Sequence, residues 1–253
     1  MFRPRIIPVL LLRNQGLVKS IKFNKHRYIG DPINAVKIFN DFKADELVFL
    51  DILASQKKRL ISLDLVKEVG EEANMPFAVG GGISSIEDIR KIINAGAEKV
   101  IIGTSAARNP DFIRQAADIF GSSTIVVCMD VKKTFFGKKR AWFLNGQKRT
   151  RFFPEEYAER MEQKGVGEII VQSIDQDGMM NGYDLDLIRR ISEKVTVPVI
   201  ALGGAGNLSD MKDAYKLSFA NGLAAGSMFV YHGERRGVLI NYPNKNNIKK
   251  FIL

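Results

Sequence analysis

Two glycine clusters, each followed 22 residues later by a glycine beside a hydroxyl, are the residues in this sequence best suited to chemistry. Gly81 and Gly82 precede Gly103-Thr104, and Gly203 and Gly204 precede Gly226-Ser227. Glycine lets backbone N–H groups approach an anion closely, and a helix starting just beyond favours negative charge at its N-terminus. A hydroxyl at Thr104 or Ser227 adds a donor. One such cluster is explained by a tight turn alone. Two copies point to two phosphate sites, and so to a ligand with a phosphate at each end. Sliding the segment that begins at Val79 by 123 positions superposes Gly80 on Gly203, Gly81 on Gly204, Gly103 on Gly226 and Thr104 on Ser227 without a gap.

Other reactive side chains are less informative. His26 and His232 belong to no recognisable constellation, so loop or surface packing is the simpler expectation, although histidine titrates near neutrality. Cys128 sits in a β-branched run, where a buried, inert thiol is the default. Trp142, Phe135, Phe136 and Phe143 interleave with basic residues over 132–151. That pattern can stack a nucleotide or contact a partner.

Phosphate sites of this kind need strands that end at the glycines and helices that begin beyond them. Strand-like runs occupy 5–12, 46–52, 77–79, 99–103, 124–130, 168–173, 199–202 and 222–225. Amphipathic runs at 32–42, 86–95, 111–119, 155–164, 185–194 and 209–216 read as helices, the first with Asp31 as N-cap before Pro32. Such alternation makes a parallel α/β sheet, open or closed. The half-chain repeat favours closure: one α/β domain over 1–253, a (β/α)8 TIM barrel with half-barrels of about 1–122 and 123–253. Both glycine sets then lie at the C-terminal face, where such barrels build their sites.

The composition agrees with a single globular domain, at 253 residues, 45% hydrophobic and 26% charged. Cys128 is the lone cysteine, which excludes an internal disulfide and fits a reducing cytoplasm. The apolar run at 6–12 is broken by Pro8, too short for a membrane span and without a cleavage site. The net charge of +10 gathers in 132–151 and around Lys245, Lys249 and Lys250. Basic surface attracts any polyanion, but no zinc spacing, helix-turn-helix or aromatic RNA-binding strand accompanies it. Neither nucleic acid nor membrane is expected as a partner, and no metal or cofactor is implied.

The stretches RIIPVLLL, GDPINA, DELVFLDI, FAVGGGI, KVIIGTSA, SIDQDG with the following GYD, and PVIALGGAGN resemble the cyclase subunit of imidazole glycerol phosphate synthase, nearly as far as Phe229. That family closes the imidazole ring in histidine biosynthesis. The resemblance implies a glutaminase partner at the N-terminal face, ammonia passing through the barrel, and a bisphosphate substrate worked on by a carboxylate base and a carboxylate acid. It assigns the acid to Asp130 and a supporting carboxylate to Asp51, and places Asp175 and Asp177 at the end of the sixth strand. Arg5, Glu46, Lys99 and Glu168 match the ring of charges that gates ammonia, and Lys19 matches a lysine on a mobile loop over the substrate.

The base is missing. The family pattern Leu-Asp-Val-Lys is replaced here by Leu10-Leu11-Leu12-Arg13, which half-barrel symmetry sets opposite Asp130-Val131-Lys132. An apolar Leu11 accepts no proton, and general acid–base help is worth roughly 10²–10⁴-fold. Ring closure therefore requires a substitute such as Asp51 or Asp177. The combination of Val9-Leu10-Leu11-Leu12, GLVKSIKF and the tail HGERRGVLINYP, which lacks a long final helix, is similar to a divergent branch associated with amidation of nucleotide sugars for surface polysaccharide. There the barrel and its glutaminase-like partner feed ammonia to a third, ATP-using amidotransferase. Three readings stay open: an ammonia-channelling paralogue of that branch, a genuine cyclase that bypasses Leu11, and a non-catalytic phosphate-binding assembly subunit.

Overall fold

The computed structural model describes residues 3–233 and 235–252; Glu234 of the tail motif and the side chain of Lys245 lie outside the described residues. Eight parallel strands form the barrel: β1 (Arg5–Arg13), β4 (Leu47–Asp51), β5 (Phe77–Gly80), β6 (Lys99–Ile102), β7 (Ile125–Lys133), β10 (Glu168–Ser173), β11 (Val199–Leu202) and β12 (Gly222–Ala225). Each pairs with the next, and β1 closes the ring by pairing with both β4 and β12. The remaining strands are excursions: β2 (Gly16–Ile21) and β3 (Asn24–Gly30) after β1, β8 (Lys139–Phe143) and β9 (Lys148–Arg149) after β7, and β13 (Tyr231–His232) with β14 (Gly237–Val238) near the C-terminus.

Alternation along each strand gives two cores. Inward-facing residues such as Ile7, Val48, Ile101, Val126, Ile170 and Ile200 fill the lumen. Outward-facing Ile6, Leu10, Phe49, Val100 and Val127 pack beneath the helices. The outer layer consists of α1 (Pro32–Phe42), α2 (Leu63–Glu72), α3 (Ile86–Asn94), α4 (Thr104–Arg108), α5 (Asp111–Phe120), α6 (Pro154–Gln163), α7 (Leu185–Ser192), α8 (Leu208–Ser218) and the short α9 (Lys245–Ile252). As the sequence suggested, Asp31 caps α1 by accepting from Asn34 N, with Pro32 in the first turn. No helix among the described residues is long and apolar enough to cross a membrane.

The structure corrects three details of the sequence reading. First, α2 was not anticipated; Ser62 caps it by accepting from Leu65 N, and it buries Val66 and Val69 while Leu63 and Leu65 pack half-buried against the outer core. Second, the half-barrel repeat is not gapless. Strands β5 and β11 start 122 positions apart, as do the capping boxes Ser85/Asp88 and Asn207/Asp210, whereas β6 and β12 start 123 apart. Gly81 therefore matches Gly203 and Gly82 matches Gly204. The run of three glycines at 80–82 let the sequence slip by one residue at no visible cost. Third, Lys19 is on a strand, not a loop, because β1 continues past the barrel rim and folds back as β2.

That hairpin belongs to the repeat. Leu11 lies beside Leu50 of β4 and Val18 of β2, while Asp130 lies beside Gln172 of β10 and Trp142 of β8. Leu11 and Asp130 are thus true two-fold counterparts, as sequence symmetry implied. The tail is anchored by its side chains ahead of the short α9. The Tyr242 hydroxyl donates to Ile6 O at 3.0 Å and accepts from Asp45 N, and its ring stacks on Phe229.

Candidate active site

At the C-terminal ends of the strands the barrel opens into a cavity of about 480 Å³. Both glycine sets line it, together with Leu11, Lys19, Asp51, Asp130 and Asp177. The glycine-rich turns at Gly82 and Gly204 have a structural reason of their own. A Cβ on Gly82 would fall 1.8 Å from Arg59 O, and one on Gly204 would fall 2.1 Å from Gly182 O, both at positive φ. No side chain fits there, with or without an anion. Gly103 and Gly226 differ: each has ordinary negative φ (−110° and −108°) with nearly equal ψ, and each leads into a helical turn, α4 or Ser227–Phe229. The Thr104 hydroxyl oxygen accepts from Leu144 N at 3.2 Å, which leaves its own hydrogen free to donate into the cavity.

Three ionisable groups converge at the mouth. Asp177 Oδ2 accepts from Ser20 Oγ at 2.7 Å and Phe23 N at 3.1 Å, and its carbonyl accepts from Lys22 N at 3.0 Å, which ties the β2–β3 hairpin over the opening. Burial raises the pKa of Asp177, partly offset by those bonds and by Lys19 and His26. Lys19 is 3% exposed, and its ammonium donates to Val9 O at 2.5 Å and lies against Gly226. Burial lowers it from 10.5 to about 7, against the pull of Asp177. Among the described residues no donor reaches the Asp130 carboxyl, and burial, reinforced by the charge of Asp177, pushes it up to about 7. A carboxylic acid poised there suits proton donation near neutral pH.

Asp51 is otherwise committed. Its Oδ1 accepts from Leu53 N and Ala54 N, and its Oδ2 pairs with Arg59 at 2.7 Å. Asp175 turns away from the cavity and accepts from Lys133 N. Leu11 is partly buried and packs with Leu50 and Cys128 against the lumen core. Cys128 lines the cavity instead of being fully buried, but burial and Asp130 hold its thiol protonated well above the usual range. His26 corrects its expectation too: it lines the mouth, where burial and Arg13 lower its pKa against the effect of Asp177. His232 is exposed on β13.

At the opposite end of the lumen the four matched charges do meet. Arg5 donates to Glu46 and, at 2.7 Å, to Glu168; Lys99 Nζ reaches Glu46 at 3.3 Å and Glu168 at 3.1 Å. Each carboxylate thus faces two cations, as buried charge requires. One oxygen, Glu168 Oε2, has no hydrogen-bond partner among the described residues.

Several residues that shape the mouth were not singled out from sequence. Arg59 holds Asp51. Arg236, in the C-terminal hairpin, donates to Gly178 O at 3.2 Å, and Arg27 donates to Arg236 O, so the tail buttresses the Asp177 turn. Asn145 donates to Ile52 O, fastening the β8–β9 turn across the rim. Apart from the Arg59–Asp51 ion pair, these are long-range side-chain-to-carbonyl bonds with no local pattern to betray them.

Comparison with known proteins agrees with this architecture. Residues 5–236 match the family model described as histidine biosynthesis protein. The chain is 45% identical over 248 residues to the "Putative imidazole glycerol phosphate synthase subunit hisF2" of Pseudomonas aeruginosa, covering 98% of this chain and 99% of that one. It is 44% identical over 232 residues to the "Imidazole glycerol phosphate synthase subunit HisF" of Alkaliphilus metalliredigens, 92% of each chain, and 40% identical over 268 aligned positions to the subunit of the same name from Methanococcus maripaludis, 98% of each. A closed (β/α)8 barrel, a mouth with paired glycine turns and an Asp130 poised near neutrality accompany that similarity along almost the whole chain: it belongs to the histidine biosynthesis protein family, among the HisF-type cyclase subunits of imidazole glycerol phosphate synthase.

Proposed function

We propose that this barrel is a divergent ammonia-delivering member of its family, one that grips a bisphosphate-type or nucleotide-sugar ligand but has lost efficient ring closure. The observation that carries this reading is Leu11. It occupies the two-fold counterpart of Asp130 at the cavity wall, and the neighbouring Asp51 is already bound by Arg59 and two backbone N–H groups. Between the Arg5–Glu46–Lys99–Glu168 ring and the mouth, the lumen is lined by Ile7, Val9, Val48, Ala78, Ile101 and their neighbours. A charged ammonium pays a large desolvation cost in such a lining, whereas neutral ammonia pays little. The ring is the natural place for a glutaminase-type subunit to hand ammonia over. Gly81, Gly82, Gly103 and Thr104, facing Gly203, Gly204, Gly226 and Ser227, would take the two anionic ends of the ligand, with Lys19 beside the second set.

The consumer of the ammonia, on this reading, is a third amidotransferase subunit acting on a nucleotide sugar. The tail supports this: the HGERRG hairpin that resembles the sugar-amidation branch buttresses the Asp177 turn through Arg236. The test is a reconstitution with a glutaminase-type subunit, an ATP-dependent sugar amidotransferase and amide-labelled glutamine in excess unlabelled ammonium. Label retained in the amidine supports delivery through the barrel; dilution to the bulk level refutes it. One observation favours a second reading, a genuine cyclase. Asp130 and Lys19 both titrate near neutrality in the same cavity, so an acid remains and a neutral amine is present to accept a proton.

A further inference from the structure

Phe135 and Phe136, at the turn between β7 and β8, are 98% and 85% exposed, and no other large apolar side chain among the described residues is so bare. Their rings sit edge to face, 5.5 Å apart. Exposure of this kind on a flexible loop means little, but this tip is braced. Thr134 N donates to Lys138 O at 2.8 Å and Gly137 N to Thr134 O at 2.9 Å. Below it, Lys139 is held by Asp184 at 2.7 Å and Trp142 Nε1 donates to Lys132 O. Neither phenylalanine lines the cavity, so the ligand site does not explain them.

The charge around the tip is mostly basic, with the Asp175 carboxylate at the Lys133 backbone N–H. Lys133, Lys138, Arg140 and Arg151 pair with no carboxylate among the described residues. Two of them instead stack on rings, Arg140 over Phe153 at 3.3 Å and Arg151 over Phe152 at 4.9 Å. Stacked guanidinium groups are fixed in place and keep their full charge. Lys139 is the exception, neutralised by Asp184 and Asp186.

We propose that this aromatic-tipped, basic hairpin is a peripheral docking wedge for an anionic lipid surface. Two features favour lipid over a protein or a nucleic acid. The two rings of the tip stand almost fully in solvent, and a bilayer interface accepts a bare apolar wedge without a matching pocket. The two rings are mutually perpendicular, at 85°, and so cannot present parallel faces to successive bases. The turn satisfies two of its own backbone N–H groups, which lowers the cost of entering an apolar medium. The phenylalanines enter the boundary of the acyl chains while Lys133 and Lys138, backed by the ring-stacked Arg140 and Arg151, meet phosphate headgroups. The wedge differs from the absence of a membrane partner expected from the sequence, and it does not depend on the proposed function, because the cavity takes no part in it.

The test is co-sedimentation of the full chain with two kinds of vesicle, pure phosphatidylcholine and equal parts phosphatidylcholine and phosphatidylglycerol. The expected result is binding to the anionic vesicles alone, weakened about tenfold or more by Phe135→Ser with Phe136→Ser. Lys133→Ala with Lys138→Ala should weaken it by a similar factor. Both pairs are exposed, so an unchanged thermal melt shows that the variants are folded. No binding to anionic vesicles, or binding unaffected by the phenylalanine substitutions, overturns the proposal. A benzophenone side chain at position 136, irradiated in cells, should label lipid; labelling of protein or nucleic acid in its place also overturns it.

Discussion

Replacing Lys19 by methionine should make the protein more stable while impairing its hold on anions. In the folded chain the ammonium is 3% exposed with one hydrogen-bond acceptor, Val9 O, for its three donors. Its pKa falls from 10.5 to about 7, chiefly through burial. At 1.36 kcal/mol per unit, that difference corresponds to about 5 kcal/mol of destabilisation. Lys19→Met forfeits the bond to Val9, worth about 1 kcal/mol, and water in the adjoining cavity softens the burial cost, so a gain of about 2–4 kcal/mol is expected. The sign follows from linkage. Below about pH 7 both states carry the proton and the folded protein bears the full cost. As pH rises from about 7 to about 10.5 the folded state alone is neutral, and the cost fades. Urea unfolding of both proteins near pH 6 and near pH 10 should therefore show a large gain for the variant at the lower pH and almost none at the higher. Isothermal titration with inorganic phosphate should show weaker binding to the variant. Destabilisation at low pH, or a difference that ignores pH, would refute the assignment of Lys19 as a buried, uncompensated cation.

Asp130→Asn should follow the opposite pH course: with the folded pKa near 7 against 3.8 unfolded, the burial cost is full above about pH 7 and gone below about pH 4. Allowing for water in the cavity, urea titrations should show the variant about 2 kcal/mol more stable near pH 8 and no different near pH 4. Gly82→Ala forces a Cβ to within 1.8 Å of Arg59 O, so a loss of about 3 kcal/mol or more is expected in thermal melts. Arg5→Ala leaves Glu46 and Glu168 with Lys99 as their only cation; denaturant unfolding should show a loss of about 3–5 kcal/mol, and a loss under about 1 kcal/mol would mean the ring is well hydrated.

The barrel was legible because its signals are local and repeated. Strand periodicity, the Asp31-Pro32 cap and two glycine sets half a chain apart each report on a few neighbouring residues. The two-fold match of Leu11 with Asp130 survived the structure, while the gapless register did not, since a triple glycine carries no information about a one-residue slip. Lys19 was placed on a loop by the family resemblance alone, and the pairing of β2 with the overhanging end of β1 makes it a strand residue. The helix α2 was missed although Leu63 and Leu65 pack half-buried beside its buried Val66 and Val69. Asp51 shows the limit for site residues: position and type were readable, but its engagement by Arg59 through space was not. His26 was dismissed because no partner lay nearby in sequence; the fold brings Asp177 and Arg13 to it.

The central claim is that ring-closing chemistry lapsed with Leu11 while the anion-gripping barrel around it was kept. The most direct measurement is steady-state cyclisation of the histidine-pathway bisphosphate, with ammonium salt as the nitrogen source, by this protein and by its Leu11→Asp variant. The account predicts silence from the unmodified protein and turnover from the variant, with a gain of at least the roughly 10²-fold that a positioned base supplies. Comparable turnover by the unmodified protein would contradict it and return the chain to ring closure.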